Sequence, residues 1–597
     1  MENVINNRIS ELRKLMKREK LSAFIFPSTD PHNGEYVPEH WKGREWISGF
    51  DGSAGIAVVT MDKAALWTDS RYFIAAAEQL KGTEYILMKD GMPDTPTVYH
   101  WLGLELSHTE RAEVGMDGRV NSEYIVKNME FALRGEGGIT LRSNFDPLDK
   151  IWTDRPGLPE GKIVMQPLVY AGESCCEKIC RICKILGGMH VSGMLVSTLD
   201  DIAWTLNLRG DDVECNPVFL SYLLITRRKV ILFVDKQKMT DEVGAYLEDV
   251  HVEVKAYADI ESELSRYDEY SILLDTKQIS HYLYNKVRVK AKLDCTSPIP
   301  LLKSVKNATE VHGYHYAMLK DGIAMVKFLK WLMPAVQAGG QSEMSVSEKL
   351  ASLRAEQPLY KGLSFPTIAA YQEHGAIVHY EANEDTNIKL KPEGLLLLDS
   401  GAQYLDGTTD ITRTIALGPV SAEQKHIYTL VLKGHIQLEL CKFPDGVSGT
   451  QLDIMARKDM WREGFNFLHG TGHGVGSYLN VHEGPHQIRM NYVPARLHPY
   501  MTVTDEPGIY LEGKFGVRIE NVLMTIPYMQ SDNGEFLQFE SLTLCPIDKT
   551  PIEMDLMTDE EIQWLNAYHK TVYDRLSPYL NDEEKEWLRS ATDKICK

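Results

Sequence analysis

Positively charged residues are in short supply in this sequence. Lysine and arginine total 64 against 84 aspartates and glutamates, which gives a formal net charge of −20 at pH 7. A protein of that charge repels the phosphate backbone of DNA or RNA and lacks an electrostatic basis for binding it. We therefore expect no nucleic-acid partner.

Long hydrophobic runs are also missing. The most apolar helix candidate, 314–333, carries four charged side chains, among them Lys320 and Asp321. Such a segment is typical of a helix in a globular domain and not of a membrane span. Residues 1–14 are polar and lack the apolar core of a secretory signal. We expect a protein that neither enters a membrane nor is secreted.

Cysteine is scarce as well. Nine cysteines, an odd number, are spread thinly over 597 positions. This usage indicates a reducing compartment in which disulfides do not form. We expect the protein to be cytoplasmic.

Four of the cysteines nevertheless cluster, at Cys175, Cys176, Cys180 and Cys183. The last three have the i, i+4, i+7 spacing of one helix face and stand among apolar residues. No second cysteine pair or flanking histidine completes a tetrahedral metal site. We predict that these three cysteines are buried packing residues, as free cysteines commonly are.

The length and the order of elements predict several domains, because 597 residues exceed what one hydrophobic core supports. We place three regions at residues 1–156, 157–304 and 305–597. The first two share an order of strand, Asp-containing turn, Trp-containing segment and β-hairpin, which indicates a diverged internal duplication. Strands are expected at Ala23–Phe26 and 54–60. The third region opens with a long helix, turns rich in strands and then carries a charged helix at Asp559–Leu576.

Two carboxylates in the third region are placed by strand patterns. The run "GLLLLDSG" is typical of a buried strand and ends on Asp399. After the turn signal at residues 406–407, "TTDITRTIAL" alternates, so that Asp410 and Ile411 point to opposite faces. The two carboxylates should therefore lie on neighbouring strands near the core. Buried charges of this kind require a cation or a proton.

Histidines follow in the glycine-rich segment "HGTGHGVGSYLNVHEGPH". It contains four imidazoles, at His469, His473, His482 and His486, among five glycines. The glycines allow the backbone to approach a site closely, and the imidazoles are candidate metal ligands or acid–base groups.

Two further carboxylates complete the pattern. "VTDEPGIY" places Glu506 at a Pro-Gly turn, and "FGVRIENVL" alternates so that Arg518 and Glu520 share a face. Four carboxylates balance the charge of two divalent cations, and an oxygen-rich donor set with one imidazole suits Mn²⁺, Co²⁺ or Zn²⁺. Two such metals activate water as a hydroxide and polarise a scissile carbonyl.

The ordered set in "LLDSG", "TTDITRT", "HGTGHGVG", "DEPGIY" and "VRIENV" resembles the pita-bread metallopeptidases, which include methionine aminopeptidase, prolidase and aminopeptidase P. The resemblance implies two divalent metal ions per subunit. Asp410 and Glu520 would bridge both metals, Asp399 would complete one site, and His473 with Glu506 would complete the other.

Motifs near the N-terminus narrow the resemblance. "STDPHNGEY", "WISGFDGSAG" and "LWTDSRYF" resemble the N-terminal domain of the three-domain form of aminopeptidase P. This implies an α/β (α+β) fold with two creatinase-like N-terminal domains followed by a C-terminal pita-bread metallopeptidase domain. It also implies a cytosolic, manganese-dependent homodimer whose substrates are peptides with proline at the second position.

The resemblance also implies roles for individual side chains. Glu506 would shuttle a proton, His482 would stabilise the oxyanion, and His469 would position the substrate or neighbouring groups. "HGAIVHY" and "NVHEGP" resemble substrate-binding segments and point to His379 and again to His482. Arg71 of "TDSRY" matches an arginine that contributes to peptide binding.

Two other functions remain open at this point. A prolidase has the same metal site but is restricted to Xaa-Pro dipeptides, and it would need a group that caps the C-terminal carboxylate. A non-catalytic member of the fold would bind peptides or proteins. Such members lose metal ligands, and this sequence retains all five.

Overall fold

The computed structural model describes residues 2–597 and divides into two compact units. The first contains the chain up to Gln166 together with Glu173–Ile299, and the second contains Pro167–Gly172 with Pro300–Lys597. None of the helices in the described range combines the length and apolarity that crossing a bilayer requires. The region boundaries at 156 and 304 stay predictions.

The first unit begins with a six-stranded sheet whose two faces are both buried. The central strand Ala23–Phe26 turns Phe24 and Phe26 to one hydrophobic cluster and Ala23 and Ile25 to another. Such a strand is apolar throughout because helices cover both faces. In spatial order the strands are Tyr85–Lys89, Ala64–Thr68, Ile56–Thr60, Ala23–Phe26, Glu113–Met116 and Thr140–Arg142. The helices are Glu2–Glu19, Gly43–Ser48, Phe73–Gln79, Val98–Glu105, Glu123–Gly135 and Leu148–Ile151.

A second six-stranded sheet repeats this plan. Its strands are Val252–Ala256, Val230–Val234, Ser221–Thr226, Gly193–Val196, Ser271–Leu273 and Ala291–Leu293, in spatial order. In both sheets the second, third and fourth strands in spatial order pair antiparallel with one another, and the remaining pairings are parallel. The helices are Cys175–Gly188, Leu199–Leu206, Asp241–Asp249, Ile260–Ser265 and His281–Lys286, and a small ribbon joins Val164–Met165 to Leu208–Arg209. The shared topology agrees with the predicted duplication.

The prediction that Cys176, Cys180 and Cys183 are buried is wrong, because none of the three is buried. Cys176 and Cys180 are exposed and Cys183 is only half-buried, whereas Cys175 is buried. The buried stripe of helix Cys175–Gly188 runs instead through Cys175, Lys178, Ile182 and Leu186. Lys178 is buried because its ammonium donates to the Trp204 carbonyl oxygen, at 2.9 Å, and to Asn207 Oδ1, at 2.6 Å. The buried face of the helix therefore includes Lys178 and lies beside the face that the cysteine spacing had predicted.

The second unit combines long helices with small sheets. Its helices are Leu168–Ala171, Ala308–Ala338, Glu343–Ala355, Ala422–Glu439, Gly449–Arg462, Asp559–Leu576 and Asp582–Ala591. One more helix, Ile299–Ser304, has its first residue in the first unit and its other residues in the second. Two three-stranded sheets consist of Tyr360–Leu363, Ala402–Tyr404 and Gly407–Thr408, and of Ile368–Tyr371, Leu395–Ser400 and Ile411–Ala416. A four-stranded sheet consists of Lys442–Pro444, Gly534–Ser541, Asn521–Ser531 and Thr502–Asp505. Two ribbons pair Gly472–Gly474 with Glu483–Ile488 and Gly508–Leu511 with Phe515–Arg518.

The long helix Ala308–Ala338 is the framework of this unit. Asn307 begins it with a capping box, in which Asn307 and Glu310 satisfy each other's backbone N–H groups. Two of the four charged residues that argued against a membrane span, Lys320 and Asp321, are buried in ion pairs. Arg354 donates from Nε and Nη2 to the Asp321 carboxylate at 2.8 and 3.0 Å, and Arg354 is 0% exposed. Lys320 Nζ lies 2.5 Å from Asp406 Oδ1.

We predict that Arg354→Ala lowers the free energy of unfolding by about 3–5 kcal/mol, because Asp321 is left as a buried charge without its partner. Urea unfolding followed by circular dichroism measures the change. Arg589, whose pair with Glu586 is exposed, is the matched control, and its alanine variant should leave stability nearly unchanged. Equal effects of the two substitutions would contradict the prediction.

Candidate metal centre

Asp399 and Asp410 lie on neighbouring strands of one sheet. Asp399 is in Leu395–Ser400 and pairs with Thr412 of Ile411–Ala416, and Asp410 directly precedes that second strand. Both carboxylates are buried, with 7% and 4% of the residue exposed. The alternation in the sequence therefore predicted their placement.

His473 reaches the same place because the glycines beside it allow close backbone approach. A Cβ atom at Gly472 would stand 1.9 Å from the Thr504 carbonyl oxygen, so only glycine fits there. The His473 N–H donates to Thr504 Oγ1 at 3.0 Å. Its ring is thereby held between the carboxylates, with Nε2 3.6 Å from Asp410 Oδ2 and 3.6 Å from Glu506 Oε1.

Glu520 completes the cluster. One ligating atom each from Asp410, His473 and Glu520 lie within 4.8 Å of one another. The Glu520 N–H donates to the Thr412 carbonyl oxygen at 3.0 Å, and Glu520 Oε2 accepts from Thr412 Oγ1 at 2.8 Å. The structure therefore brings the five predicted ligands together, with Asp399 close enough for its charge to act on Asp410 and Glu520.

The electrostatics of this cluster are unfavourable for carboxylates alone. Burial, followed by the neighbouring charges of Asp399 and Glu506, raises the pKa of Asp410 well above its ordinary value. Burial and the charges of Asp410 and Asp399 do the same to the pKa of Glu520. Only protons or cations stabilise so many carboxylates in one desolvated place.

Arg518 is the residue of this site whose role the sequence reasoning missed. It is 1% exposed and donates from Nη2 to Asp399 Oδ2 at 2.7 Å and from Nη1 to the Tyr510 hydroxyl at 2.8 Å. The alternation in the sequence, which places Arg518 and Glu520 on one face, was the pattern that could have indicated a role for Arg518 in this site. Nothing in the pattern indicated Tyr510, which also contacts His469 Nε2 at 2.8 Å.

The remaining histidines occupy different surroundings. The His482 ring stands edge-on to the His473 ring, with centroids 4.4 Å apart. His379 is half-buried and follows Val378, whose carbonyl oxygen accepts from Arg518 Nη2 at 3.4 Å. His486 belongs to the core, because its Nε2 contacts the Thr502 carbonyl oxygen at 2.6 Å and burial lowers its pKa to about 4.

Comparison with known proteins gives a consistent result along the chain. Residues 312–526 match the model of metallopeptidase family M24, residues 535–595 match the C-terminal region of that family, and residues 8–141 and 154–310 each match a creatinase/prolidase N-terminal domain. Aminopeptidase P1 of Arabidopsis thaliana is 38% identical over 98% of this chain and 99% of its own. Xaa-Pro aminopeptidase 1 of Dictyostelium discoideum is 38% identical over 98% and 96%. The chain belongs to the aminopeptidase P family of M24 metallopeptidases.

A solved structure agrees with this membership of the aminopeptidase P family. The X-prolyl aminopeptidase of Caenorhabditis elegans, described as a cytosolic enzyme with a di-nuclear active site, is 34% identical and superposes with a TM-score of 0.95 over 99% of this chain and 100% of its own. The predicted fold class, two creatinase-like N-terminal domains followed by a pita-bread metallopeptidase domain, is confirmed.

The donor set of this aminopeptidase P family member fits a pair of divalent cations. Four carboxylates and one imidazole supply hard oxygen ligands with one nitrogen, and four negative charges balance two divalent ions. Asp399 Oδ1 is buried and accepts no hydrogen bond from any residue in the range 2–597, which is what an oxygen reserved for a cation requires.

Arg71 lies in the first unit, where its guanidinium has acidic partners. Its Nε and Nη2 donate to the two Asp69 carboxylate oxygens at 2.9 and 2.8 Å, and Nη1 lies 3.4 Å from Glu35 Oε1. Its side chain is 21% exposed. The guanidinium is therefore held in a fixed direction with part of its surface open.

We predict that the Asp410 and Glu520 carboxyls stabilise metal-free protein at acid pH and that this contribution falls as the pH rises above the ordinary carboxyl pKa values of about 4. Because the folded-state pKa values of Asp410 and Glu520 are raised, the folded protein holds protons that the unfolded chain releases. Their contribution is complete below the ordinary carboxyl pKa and is lost as the pH rises through the folded one. Thermal unfolding across this range measures it.

The control for this experiment is the double variant Asp410→Asn/Glu520→Gln, whose stability should depend less on pH because neither amide titrates. Saturating Mn²⁺ should flatten the wild-type profile in the same way. Buried histidines such as His435 and His486 have lowered pKa values and act equally in both proteins, so the comparison isolates the two carboxyls. Identical pH dependence of stability in the two metal-free proteins would contradict the assignment of these carboxyls.

Proposed function

We propose that this protein is a metal-dependent aminopeptidase that removes the N-terminal residue from peptides whose second residue is proline. The observation that carries the proposal is the convergence of four carboxylates and one imidazole in a chain that resembles aminopeptidase P over nearly its whole length. Prolidase is the nearest alternative.

The metal ligands that we propose are those of the cluster. Asp410 and Glu520 would bridge two divalent ions, Asp399 would complete one site, and His473 and Glu506 would complete the other. When bound, the two ions lower the pKa of water to supply the nucleophile and polarise the scissile carbonyl. We propose Mn²⁺ as the native ion, because it accepts oxygen ligands with one imidazole.

The protein groups around the metals would carry the proton transfers and the orientation. Glu506, half-buried beside His473, would accept the proton of the attacking water and pass it to the leaving imino nitrogen of proline. His482, packed against His473, would donate a hydrogen bond to the oxygen on which negative charge develops. Arg518 would hold Asp399 through Oδ2 and leave Oδ1 for the metal.

A second set of contacts links substrate and metals. His469 contacts the Tyr510 hydroxyl, and this hydroxyl accepts a hydrogen bond from Arg518. Arg518 in turn donates a hydrogen bond to Asp399. We propose that His469 and His379 line the substrate pocket with His482. Proline lacks an amide N–H, so a pocket that offers no acceptor at that nitrogen and fits a ring would select it.

We further propose that the protein works as a cytoplasmic homodimer. The description of the Caenorhabditis elegans enzyme as cytosolic supports the compartment. The small number of cysteines also fits a reducing environment.

We predict that Mn²⁺-loaded protein releases the first residue of Xaa-Pro-Yaa tripeptides and leaves Xaa-Ala-Yaa tripeptides nearly intact. Mass spectrometry of the products measures this. Chelation should abolish the activity, and Mn²⁺ should restore it better than Mg²⁺, which holds its waters and accepts imidazole poorly. Alanine at any of the five ligands should lower turnover by several orders of magnitude.

The other outcomes of this assay are informative. Cleavage restricted to Xaa-Pro dipeptides would make the protein a prolidase. No cleavage by fully metal-loaded protein would make it a binding protein of the same fold. Full activity after exhaustive removal of metal would overturn the metallopeptidase assignment.

We predict that Arg71→Ala lowers kcat/KM for Xaa-Pro-Yaa peptides ten- to a hundredfold, about 1.4–2.7 kcal/mol, and affects Xaa-Pro dipeptides less. In our proposal its guanidinium binds the backbone beyond proline, which dipeptides lack. Steady-state kinetics on both substrate lengths measures the difference.

Arg13→Ala is the matched control, because Arg13 lies in the same unit and is also a partly buried arginine paired with a glutamate, Glu84. Arg13→Ala should leave kcat/KM unchanged for both substrate lengths. Equal losses for Arg71→Ala on tripeptides and dipeptides would place its action elsewhere, and no loss on either would remove it from the site.

A further inference from the structure

A second cluster of ligating side chains lies in the second unit, and the proposed mechanism does not use it. His435 and Glu439 are one turn apart at the end of helix Ala422–Glu439, and Asp505 is the last residue of strand Thr502–Asp505. One ligating atom from each lies within 4.8 Å of the others. The residues are 0%, 8% and 0% exposed.

The hydrogen bonds of this cluster are incomplete. Neither carboxylate oxygen of Asp505 accepts a hydrogen bond from any residue in the range 2–597, and neither does His435 Nε2 take part in one. His435 Nδ1 lies 3.1 Å from Asp505 Oδ2, and Nε2 lies 3.4 Å from Glu439 Oε1. Buried polar atoms without hydrogen-bond partners are rare and point to an absent ligand.

Among residues 2–597, no lysine or arginine side chain donates a hydrogen bond to either carboxylate of the cluster. Arg413 is buried nearby, but its guanidinium donates to other groups, which are the carbonyl oxygens of residues 412, 520, 545 and 546, Asn521 Oδ1 and the Tyr568 hydroxyl. Burial lowers the pKa of His435 to about 4, so its imidazole is neutral and offers a lone pair. Glu439 stands at the C-terminus of its helix, where the helix dipole disfavours a carboxylate and favours a cation.

The surroundings resemble the outer contacts of a metal ligand. Glu439 Oε1 accepts from Asn521 Nδ2 at 2.8 Å and from Ser541 Oγ at 3.2 Å, which fixes the direction of the carboxylate. The Trp564 ring stands edge-on to His435, with centroids 5.9 Å apart, and shields it from water.

This cluster is separate from the candidate metal centre. Asp505 pairs with Asn521 where two antiparallel strands end, and Glu506 and Glu520 adjoin those two strand ends. Because successive residues of a strand point to opposite faces, Asp505 and Asn521 face the helix side while Glu506 and Glu520 face the dinuclear side. A cation at the cluster would therefore stabilise the strand ends next to Glu506 and Glu520, on the face opposite these two proposed ligands.

We propose that His435, Glu439 and Asp505 bind a third, structural divalent cation. The donor set of one imidazole and two carboxylates suits Mn²⁺ or Zn²⁺. The two carboxylates neutralise the ion, and the ion satisfies the Asp505 oxygens and His435 Nε2. The role of this site is structural, since none of its groups is proposed to contact substrate.

Equilibrium dialysis against Mn²⁺ followed by elemental analysis tests the proposal, and Mn²⁺ is chosen because the exposed cysteines bind it weakly. Wild-type protein should retain three equivalents. Glu439→Gln keeps the shape of the side chain but removes its charge and should retain two. Glu343→Gln, a buried carboxyl outside both clusters, is the matched control and should retain three.

The variant Asp410→Asn/Glu520→Gln provides a second measurement that leaves the cluster intact, so it decides the question if Glu439→Gln does not fold. It should retain one equivalent, with the electron paramagnetic resonance spectrum of an isolated Mn²⁺ ion. Two equivalents in wild type, or none in the double variant, would overturn the proposal and mean that protons neutralise the cluster. Failure of the dinuclear assignment would give a different result: wild-type protein would retain one equivalent of Mn²⁺, and Glu439→Gln would retain none.

Discussion

The burial of four carboxylates around one imidazole is the constraint on which the second unit depends. Asp410 and Glu520 are almost fully enclosed, and the Arg518 guanidinium donates a hydrogen bond to Asp399. Desolvation of this much negative charge costs more than local hydrogen bonds return. The arrangement is therefore stable only with bound cations or bound protons, and the choice between them links metal affinity, pH and stability.

The backbone supplies the geometry that this charge requires. Asp399, Asp410 and Glu520 are fixed by strands or by residues that adjoin strands, and Thr412 ties Glu520 to the strand that pairs with Asp399. His473 is the one ligand that depends on glycine, since a side chain at Gly472 would collide with the neighbouring strand. Rigid strands hold ligands more accurately than loops do, so the site is largely formed before any metal arrives.

The sequence predicts much of this arrangement because strand alternation is a local property. The predicted strand Ala23–Phe26 and helix Asp559–Leu576 have those bounds in the structure. Partners distant in sequence cannot be predicted in this way. The burial of Lys178 depends on a carbonyl oxygen 26 residues away, and missing it put Cys176 and Cys180 on the wrong side of their helix. The cluster at Asp505 was missed because its other members lie about 70 residues upstream on a helix.

The contacts around the candidate centre form one connected network. His469, Tyr510, Arg518 and Asp399 are linked in series, and Thr412 contacts both Arg518 and Glu520. A change at His469 can therefore reach Asp399 through hydrogen bonds alone. Removing Tyr510 frees a donor of Arg518, which is then less constrained in its hold on Asp399. Substitutions along this series share partners, so their effects on metal affinity and turnover should not be additive, and one broken link can account for most of the loss.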